Sequence, residues 1–509
     1  MAKICLCMTA STLKRNLEIL DKYRKYTDMA ELRVDCLDPD ERLLIRRFPE
    51  QAGMPVILVI RRNIDGGKFV GGEGARISLM ARGLAYAEAD PRRNFAYLDI
   101  EEDLDVPSLE EAARTFGTRI IRSYHNTGGT DANLVNRIRS MCRSGDEIVK
   151  VAVRANSTKD VLDLFRAGKE CAGQEKILIS MGHYGLYSRI LSEQFGSFLS
   201  YSTAFSETDA PPAAPGQIDV QELASLYHFH SITKATKVYG VVGNPLKSTG
   251  SPLFFNTVFE LEGTDAVYVP FPVDSITDFM EIANELHIEG ISVTVPYKET
   301  VIPFLDSLSD EVRNIGACNT LSLTPQGWLG TNTDARGFSD SLLEFLDKPN
   351  FKRQRVTVIG AGGAARAVVS ELHRLGAKVL ILNRTAHKAR RLAIPYRFAW
   401  GGMDERQIEK IDKYNDIIIQ TTSVGMEGTG DTSEPGDPLT LYNFSGREDV
   451  MDLVYRPKMT AFLKRASNAG CNIQNGYDML IRQAQYQYTQ FTGKEFPEHF
   501  LPKVQFGET

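Results

Sequence analysis

The chain has 509 residues, 42% hydrophobic and 24% charged, with a formal net charge of −6. That length allows roughly two to four domains with sizeable cores, and the mild negative charge excludes a general binder of nucleic acid or anionic membrane. Cys5, Cys7, Cys36, Cys142, Cys171, Cys318 and Cys471 are scattered with no CxxC pair, the first ten residues turn polar too soon for a signal peptide, and no apolar run reaches a membrane span, so a cytoplasmic protein is expected.

From the N-terminus, short apolar runs alternate with helical segments. They are Lys3–Thr9, Ala30–Cys36, Pro55–Arg61, Phe95–Glu101, Arg119–His125, Glu147–Val153, Lys176–Met181 and Phe198–Phe205. This count over about 200 residues predicts a (β/α)8 barrel, whose chemistry sits at the C-terminal strand ends. The polar residues of these runs are therefore the candidates: Glu31, Arg33, Arg61, His125 and Lys150.

Lys150 sits among Ile148, Val149, Val151, Ala152 and Val153. An ammonium in a buried strand is costly, and burial favours the neutral amine, which can attack a carbonyl to form a Schiff base. A lone strand lysine is more often paired with a carboxylate. His125, one strand earlier, shifts the reading, because a neutral imidazole could take up and return protons beside the amine. Glu31 and Arg33 point to one face of their strand, and alone they read as a buried ion pair.

Taken together, ELRVD, the Arg61 loop, YHNT, the strand lysine, Ser188-Arg189 and Ala214-Pro215-Gly216-Gln217 resemble type I 3-dehydroquinate dehydratase. The resemblance implies that Lys150 forms an imine with the substrate ketone and that His125 is the general acid and base. It also implies that Glu31, Arg33, Arg61, Arg189 and Gln217 hold the hydroxyls and carboxylate. Two departures stand out: Asp65 replaces the usual glutamate after the loop arginine, keeping a carboxylate that the resemblance implies as a catalytic partner of His125, and Ala213 replaces a frequent serine. The barrel is expected over residues 1–228 and a linker over 229–237. His228 and His230 lack a third ligand nearby and read as linker side chains rather than a metal site.

The second half opens with a strand at Val238–Val242 and the loop GNPLKSTGSP. Thr249, Ser251 and backbone N–H groups there could hold a carboxylate, although an ordinary helix cap reads the same way. Lys298, Asn319 and Asp334 each follow a strand-like run. A lysine braced by an aspartate is a credible proton donor to an alkoxide. Arg355–Val369 then reads as strand, glycine turn (Gly360, Gly362, Gly363) and helix, the layout that cradles a pyrophosphate. GAGGAAR is not the full dinucleotide spacing, but the next strand, Lys378–Leu382, ends in Asn383-Arg384-Thr385. An arginine at that point suits a 2′-phosphate, hence NADP.

GNPxxxxxSP, VTVPYK, GACNT, NTDARG, GAGGAAR, NRT, TTSVGM, Asp452–Tyr455 and NGYDMLIRQA resemble shikimate dehydrogenase. The resemblance implies Lys298 and Asp334 as the catalytic pair. It implies Thr249, Ser251, Thr294, Asn319, Tyr455 and Gln483 as shikimate ligands. For NADP it implies Gly360, Ala361, Gly362, Gly363, Ala364, Asn383, Arg384, Thr385, Lys388 and Gly476. Ser248 stands where the family commonly has histidine. The expected layout is a substrate domain over 238–340, a Rossmann-like NADP domain over 341–474, and a C-terminal helix in 475–509 returning to the substrate domain. The whole then reads as an α/β protein in which a barrel dehydratase precedes a two-lobed NADP-dependent dehydrogenase. Its partners are small molecules (3-dehydroquinate, 3-dehydroshikimate, shikimate), with no nucleic acid, membrane or metal. A quinate dehydrogenase in the second half, or a non-catalytic sensor of the same metabolites, are the competing readings. Intact Lys150, His125, Lys298 and Asp334 favour an enzyme.

Overall fold

A computed structural model describes residues 1–84, 90, 92–207, 213–246, 249–427 and 436–504. The chain divides into two compact units. One comprises Met1–Gly240, Pro252–Ile288 and Lys503–Thr509, the other Val241–Ser251 and Glu289–Pro502.

In the first unit, strands β1 (Lys3–Met8), β2 (Met29–Arg33), β3 (Val56–Val59), β4 (Tyr97–Glu101), β5 (Arg119–Asn126), β6 (Ile148–Arg154), β7 (Lys176–Met181) and β8 (Leu199–Thr203) pair in parallel in sequence order. β8 lies beside β1 and also joins β9 (Ile218–Asp219). The Phe198 N–H donates to the Lys176 carbonyl at 2.7 Å, so the run-up to β8 also meets the start of β7 and the sheet curls toward closure. Each of the eight expected runs overlaps a strand, mostly buried on both faces as a parallel barrel sheet requires. Cys5, Met29, Ile57, Ile121, Ile148, Ile177 and Leu199 form part of one core cluster.

Two expectations shift. The run Ala30–Cys36 ends as a strand at Arg33 and continues as a 3-10 turn, Val34–Cys36, because Asp35 turns inward to accept two hydrogen bonds from Arg33. The segment 229–237 is anchored, not slack: Phe229 and Ile232 are buried, and Phe229–Ser231 is a 3-10 turn. His230 Nε2 lies 2.9 Å from Asp28 and His228 Nε2 3.6 Å from Glu260. The first unit also contains the helix Ser251–Glu262 from Pro252 onward, strand β11 (Ala266–Pro272) and the helix Ile276–Glu285. These follow strand β10 (Lys237–Gly243), whose last three residues belong to the second unit.

In the second unit, β12 (Ile288–Val293), β14 (Thr320–Thr324), β15 (Gly327–Thr331) and β13 (Ser307–Leu308) are neighbours in that order. A parallel sheet follows, ordered β18 (Ala399–Gly401), β17 (Lys378–Leu382), β16 (Arg355–Ile359), β19 (Ile417–Gln420), β20 (Asp449–Asp452), β21 (Asn472–Gln474). The order reverses at β16, the position where doubly wound sheets open a crevice at their carboxyl ends. The helix Tyr477–Thr492 runs back to β12 and β14: Ser292 Oγ donates to Gln487 Oε1 at 2.8 Å, and Gln487 Nε2 donates to Thr320 Oγ1 at 3.1 Å. Among the described residues no helix is long and apolar enough to cross a membrane.

Candidate active sites

Strands β5 and β6 set the first site. Their register places Ser123 opposite Lys150 and His125 opposite Ala152, so the two candidates leave neighbouring strands near one level. Both line a cavity of about 150 Å³ together with Glu31, Arg33, Arg61, Asp65, Arg189 and Gln217. Every residue expected there is present in the lining.

The surroundings of Lys150 differ from expectation. The amine is not in an apolar pocket: Nζ donates to Asp99 Oδ2 at 2.8 Å, lies 3.7 Å from Glu31 Oε2 and 4.4 Å from the Tyr201 ring centroid. Ile148 and Ala152 share its face but offer no polar side-chain atom, so the amine is met by a carboxylate from β4. Asp99 is fully buried, which by itself would raise its pKa. The Arg61 and Lys150 cations prevail and hold it well below the usual carboxylate range. Arg61 is committed to this network, with bonds of 2.8 Å to Asp99, 2.6 Å to Glu101 and 3.1 Å to Ser123 Oγ. Arg33 is likewise held, by Asp35 rather than Glu31.

His125 is pushed well below the ordinary imidazole range by burial and then by Arg61 and Lys150, so it is neutral near pH 7. Its Nδ1 has no hydrogen-bond partner among the described residues. Asp65 lines the same cavity but is bonded to Arg62 Nε at 2.6 Å. Arg189 is 2% exposed with no carboxylate paired to it among the described residues; it donates to the carbonyls of Tyr201 and Pro215, and burial pushes it down to about 10. An unneutralised guanidinium in a cavity wall suits an incoming carboxylate. Glu31 Oε2 is buried without a hydrogen-bond donor, and Gln217 Nε2 donates to Cys7 Sγ at 3.1 Å. Asp99, Tyr201 and Cys7 escaped the sequence reading; the one signal was the polar pair Asp99 and Glu101 inside the apolar run of β4.

The second site is a cavity of about 360 Å³ in the second unit, lined by Thr249, Ser251, Thr294, Lys298, Asn319, Asp334, Tyr455, Gly476 and Gln483 among others. Lys298 Nζ donates to Asp334 Oδ2, and Asn319 Nδ2 donates to Asp334 Oδ1 at 2.8 Å. Asn319 Oδ1 in turn accepts from the Thr333 N–H at 2.8 Å, fixing the amide's orientation. The lysine, asparagine and aspartate thus form one largely buried hydrogen-bonded chain, Asn319 being 2% exposed and the Lys298 side chain 16%. Thr421, Thr422 and Gln487 also line the cavity and were not singled out from sequence. Ser248 lies outside the described residues.

The glycine turn at the end of β16 fits a dinucleotide phosphate. Gly360 has φ +119°, and a Cβ there would fall 2.3 Å from Thr421 Oγ1. Gly362 caps the helix Gly363–Arg374, and a Cβ on it would meet no described atom within 4 Å, so its backbone faces open space. On Gly363 a Cβ would sit 3.2 Å from Lys298 Cδ, which brings that lysine against the turn. The β16–β17 register pairs Ile359 with Leu382, so Asn383-Arg384-Thr385 leaves its strand beside the turn. Ala364 lines the cavity; Ala361, Arg384 and Lys388 do not.

Comparison with known proteins follows this division. Residues 4–234 match the type I 3-dehydroquinase family. Residues 241–321 match the shikimate dehydrogenase substrate binding domain, and 344–426 the shikimate / quinate 5-dehydrogenase family. The chloroplastic bifunctional 3-dehydroquinate dehydratase/shikimate dehydrogenase of Arabidopsis thaliana is 30% identical over 532 residues, spanning 98% of this chain and 84% of its own length. The NADP(+) shikimate dehydrogenase of Caldanaerobacter subterraneus is 39% identical over 285 residues, spanning 54% of this chain and 99% of its own. Of the solved structures, Thermus thermophilus shikimate 5-dehydrogenase in complex with NADP(H) and shikimate is 28% identical and covers 53% of this chain and 98% of its own, with a TM-score of 0.45. The chain belongs to the family of bifunctional 3-dehydroquinate dehydratase/shikimate dehydrogenases.

Proposed function

We propose that each half carries out its step through the residues named above. The first dehydrates 3-dehydroquinate, and the second reduces the resulting 3-dehydroshikimate to shikimate. The observation that carries the reading is the placement of Lys150 and His125 on adjacent strands at one cavity, with Asp99 beneath the amine.

In the dehydratase, Arg189 takes the substrate carboxylate, and Glu31 and Gln217 take hydroxyls. Lys150 must lose a proton before it can attack; Asp99 holds the cation at rest, and neutral His125 accepts the proton. The amine adds to the ketone carbon, and the carbinolamine loses water to leave an imine on Lys150. A proton then leaves the adjacent carbon and the next carbon's hydroxyl departs as water, giving the ring double bond. Hydrolysis consumes one water and frees Lys150, so one water is lost overall. Arg61 serves by bracing Asp99, and Asp65 orders the Arg62 loop.

In the dehydrogenase, Gly360, Ala361, Gly362, Gly363, Ala364 and Gly476 would hold NADP at the glycine turn and cavity, Asn383, Arg384, Thr385 and Lys388 would take its 2′-phosphate, and the cofactor when bound would supply a hydride. Thr249, Ser251, Thr294, Asn319, Tyr455 and Gln483 hold the substrate, and Lys298 donates the proton that quenches the alkoxide. Asp334 keeps that lysine aimed. The domain limits 1–228, 238–340, 341–474 and 475–509, and a cytoplasmic location, belong to the same reading.

Borohydride reduction in the presence of 3-dehydroquinate tests it. A stable mass increase on the peptide bearing Lys150 is expected. Turnover without any trapped adduct would rule the imine out.

A further inference from the structure

Strand β11 and the helix Ile276–Glu285 fall among the residues matched to the second enzyme, yet they pack within the unit that holds the barrel. Five buried rings run from one to the other. Phe165 of the helix Thr158–Glu170 lies 4.8 Å from Phe195; Phe195 lies 6.4 Å from Tyr187; Tyr187 lies 5.0 Å from Phe271 of β11; Phe271 lies 5.3 Å from Phe279. These separations and their tilted geometries are those of attractive aromatic pairs.

A second bracket lies beside this file. Asp274 Oδ1 accepts from the Thr158 N–H at 2.7 Å and from Thr158 Oγ1 at 2.6 Å, and the Asp274 N–H donates back to Thr158 Oγ1 at 3.0 Å. Thr158 is the first residue of the helix that follows β6, the strand of Lys150. A carboxylate there satisfies an orphan N–H and meets the positive end of the helix. The outer pairs Arg166–Glu281 and Arg166–Glu285 are half exposed and add little.

Both brackets end outside the dehydratase cavity but on elements that carry or follow its residues. Tyr187 is two positions before Arg189 in the five-residue helix Leu186–Ile190, and Thr158 follows the end of β6 by a short turn. We propose that residues 271–285 are a positioning element of the dehydratase, holding Arg189 and the β6 end in register for the substrate although they lie outside its matched family segment. The proposal rests on Arg189 as the carboxylate ligand.

The test uses the full-length chain, with both activities measured on each preparation. Tyr187→Leu and Asp274→Ala are expected to raise KM for 3-dehydroquinate about five- to tenfold, with kcat within about twofold, the signature of lost substrate positioning. The reductase constants are expected to stay at parental values. Tyr187→Phe keeps the ring, discards a hydroxyl that has no partner among the described residues, and is expected to match the parent. A parental KM in Tyr187→Leu or Asp274→Ala overturns the proposal, as does loss of both activities in equal proportion. Where Tyr187→Leu does not fold, exposed Asp274 decides. Arg189→Ala separates the two levels: a parental KM there removes the ligand assignment itself, whereas a raised KM there with parental values in the other two removes only the positioning role.

Discussion

Lys150 shows how a residue-level reading can locate a group and misjudge its surroundings. The strand's apolar neighbours marked the lysine, but in a parallel sheet they face both layers, and only register decides what the amine meets. Glu101, Ser123 and Lys150 share a row across β4, β5 and β6, and Asp99 sits two residues earlier on β4. That relation joins residues 51 apart in sequence, and nothing local in YLDIE announces it. His125 carries a prediction of its own. Its folded pKa lies well below the unfolded value of about 6.5. The base form therefore persists as pH falls through 6.5, and the acid limb of dehydratase kcat/KM is expected well below that value. A limb centred at or above 6.5 contradicts the assignment. The stability effects follow the same signs. Below about pH 6.5 the unfolded chain binds a proton that folded His125 refuses, so stability declines from there toward the lowered folded value. Asp99 contributes its stabilisation above the ordinary carboxylate value and loses it as pH falls through its own depressed one.

Elements were more legible than contacts. β7 and β17 run over the expected residues, and the helix Tyr477–Thr492 lies within the 475–509 segment where a C-terminal helix was expected. Alternation, glycine and the apolar runs are local signals, and they fix strands and turns without tertiary help. The cofactor turn was legible for the same reason: Gly360 must adopt a positive φ, and the strand after it ends in NRT. Substituting Arg384 tests that element. Arg384→Ala is expected to raise KM for NADPH by about tenfold or more, the worth of a lost charge-assisted hydrogen bond, while leaving KM for NADH within about twofold. Equal effects on both nicotinamides would contradict a 2′-phosphate role. What the pattern did not reveal is the grouping of β11 and its helix with the barrel. Their apolar faces read as core, and sequence does not say whose core.

At the scale of the whole molecule, two lysines on one polypeptide meet their carboxylates in different ways. Lys150 reaches Asp99 from a strand interior and, in the proposed mechanism, gives up a proton to react; Lys298 reaches Asp334 at the start of a helix and, in that mechanism, delivers a proton to the alkoxide. The two chemistries share no side chain, and each cavity lies within its own compact unit. Replacing one lysine should therefore silence one step and spare the other. The decisive measurement is of both activities in full-length Lys150→Met and Lys298→Met proteins. Dehydration should fall by about a thousandfold or more in the first with ketone reduction intact, and the reverse should hold in the second; water loss that survives without Lys150, or reduction that survives without Lys298, would contradict the account.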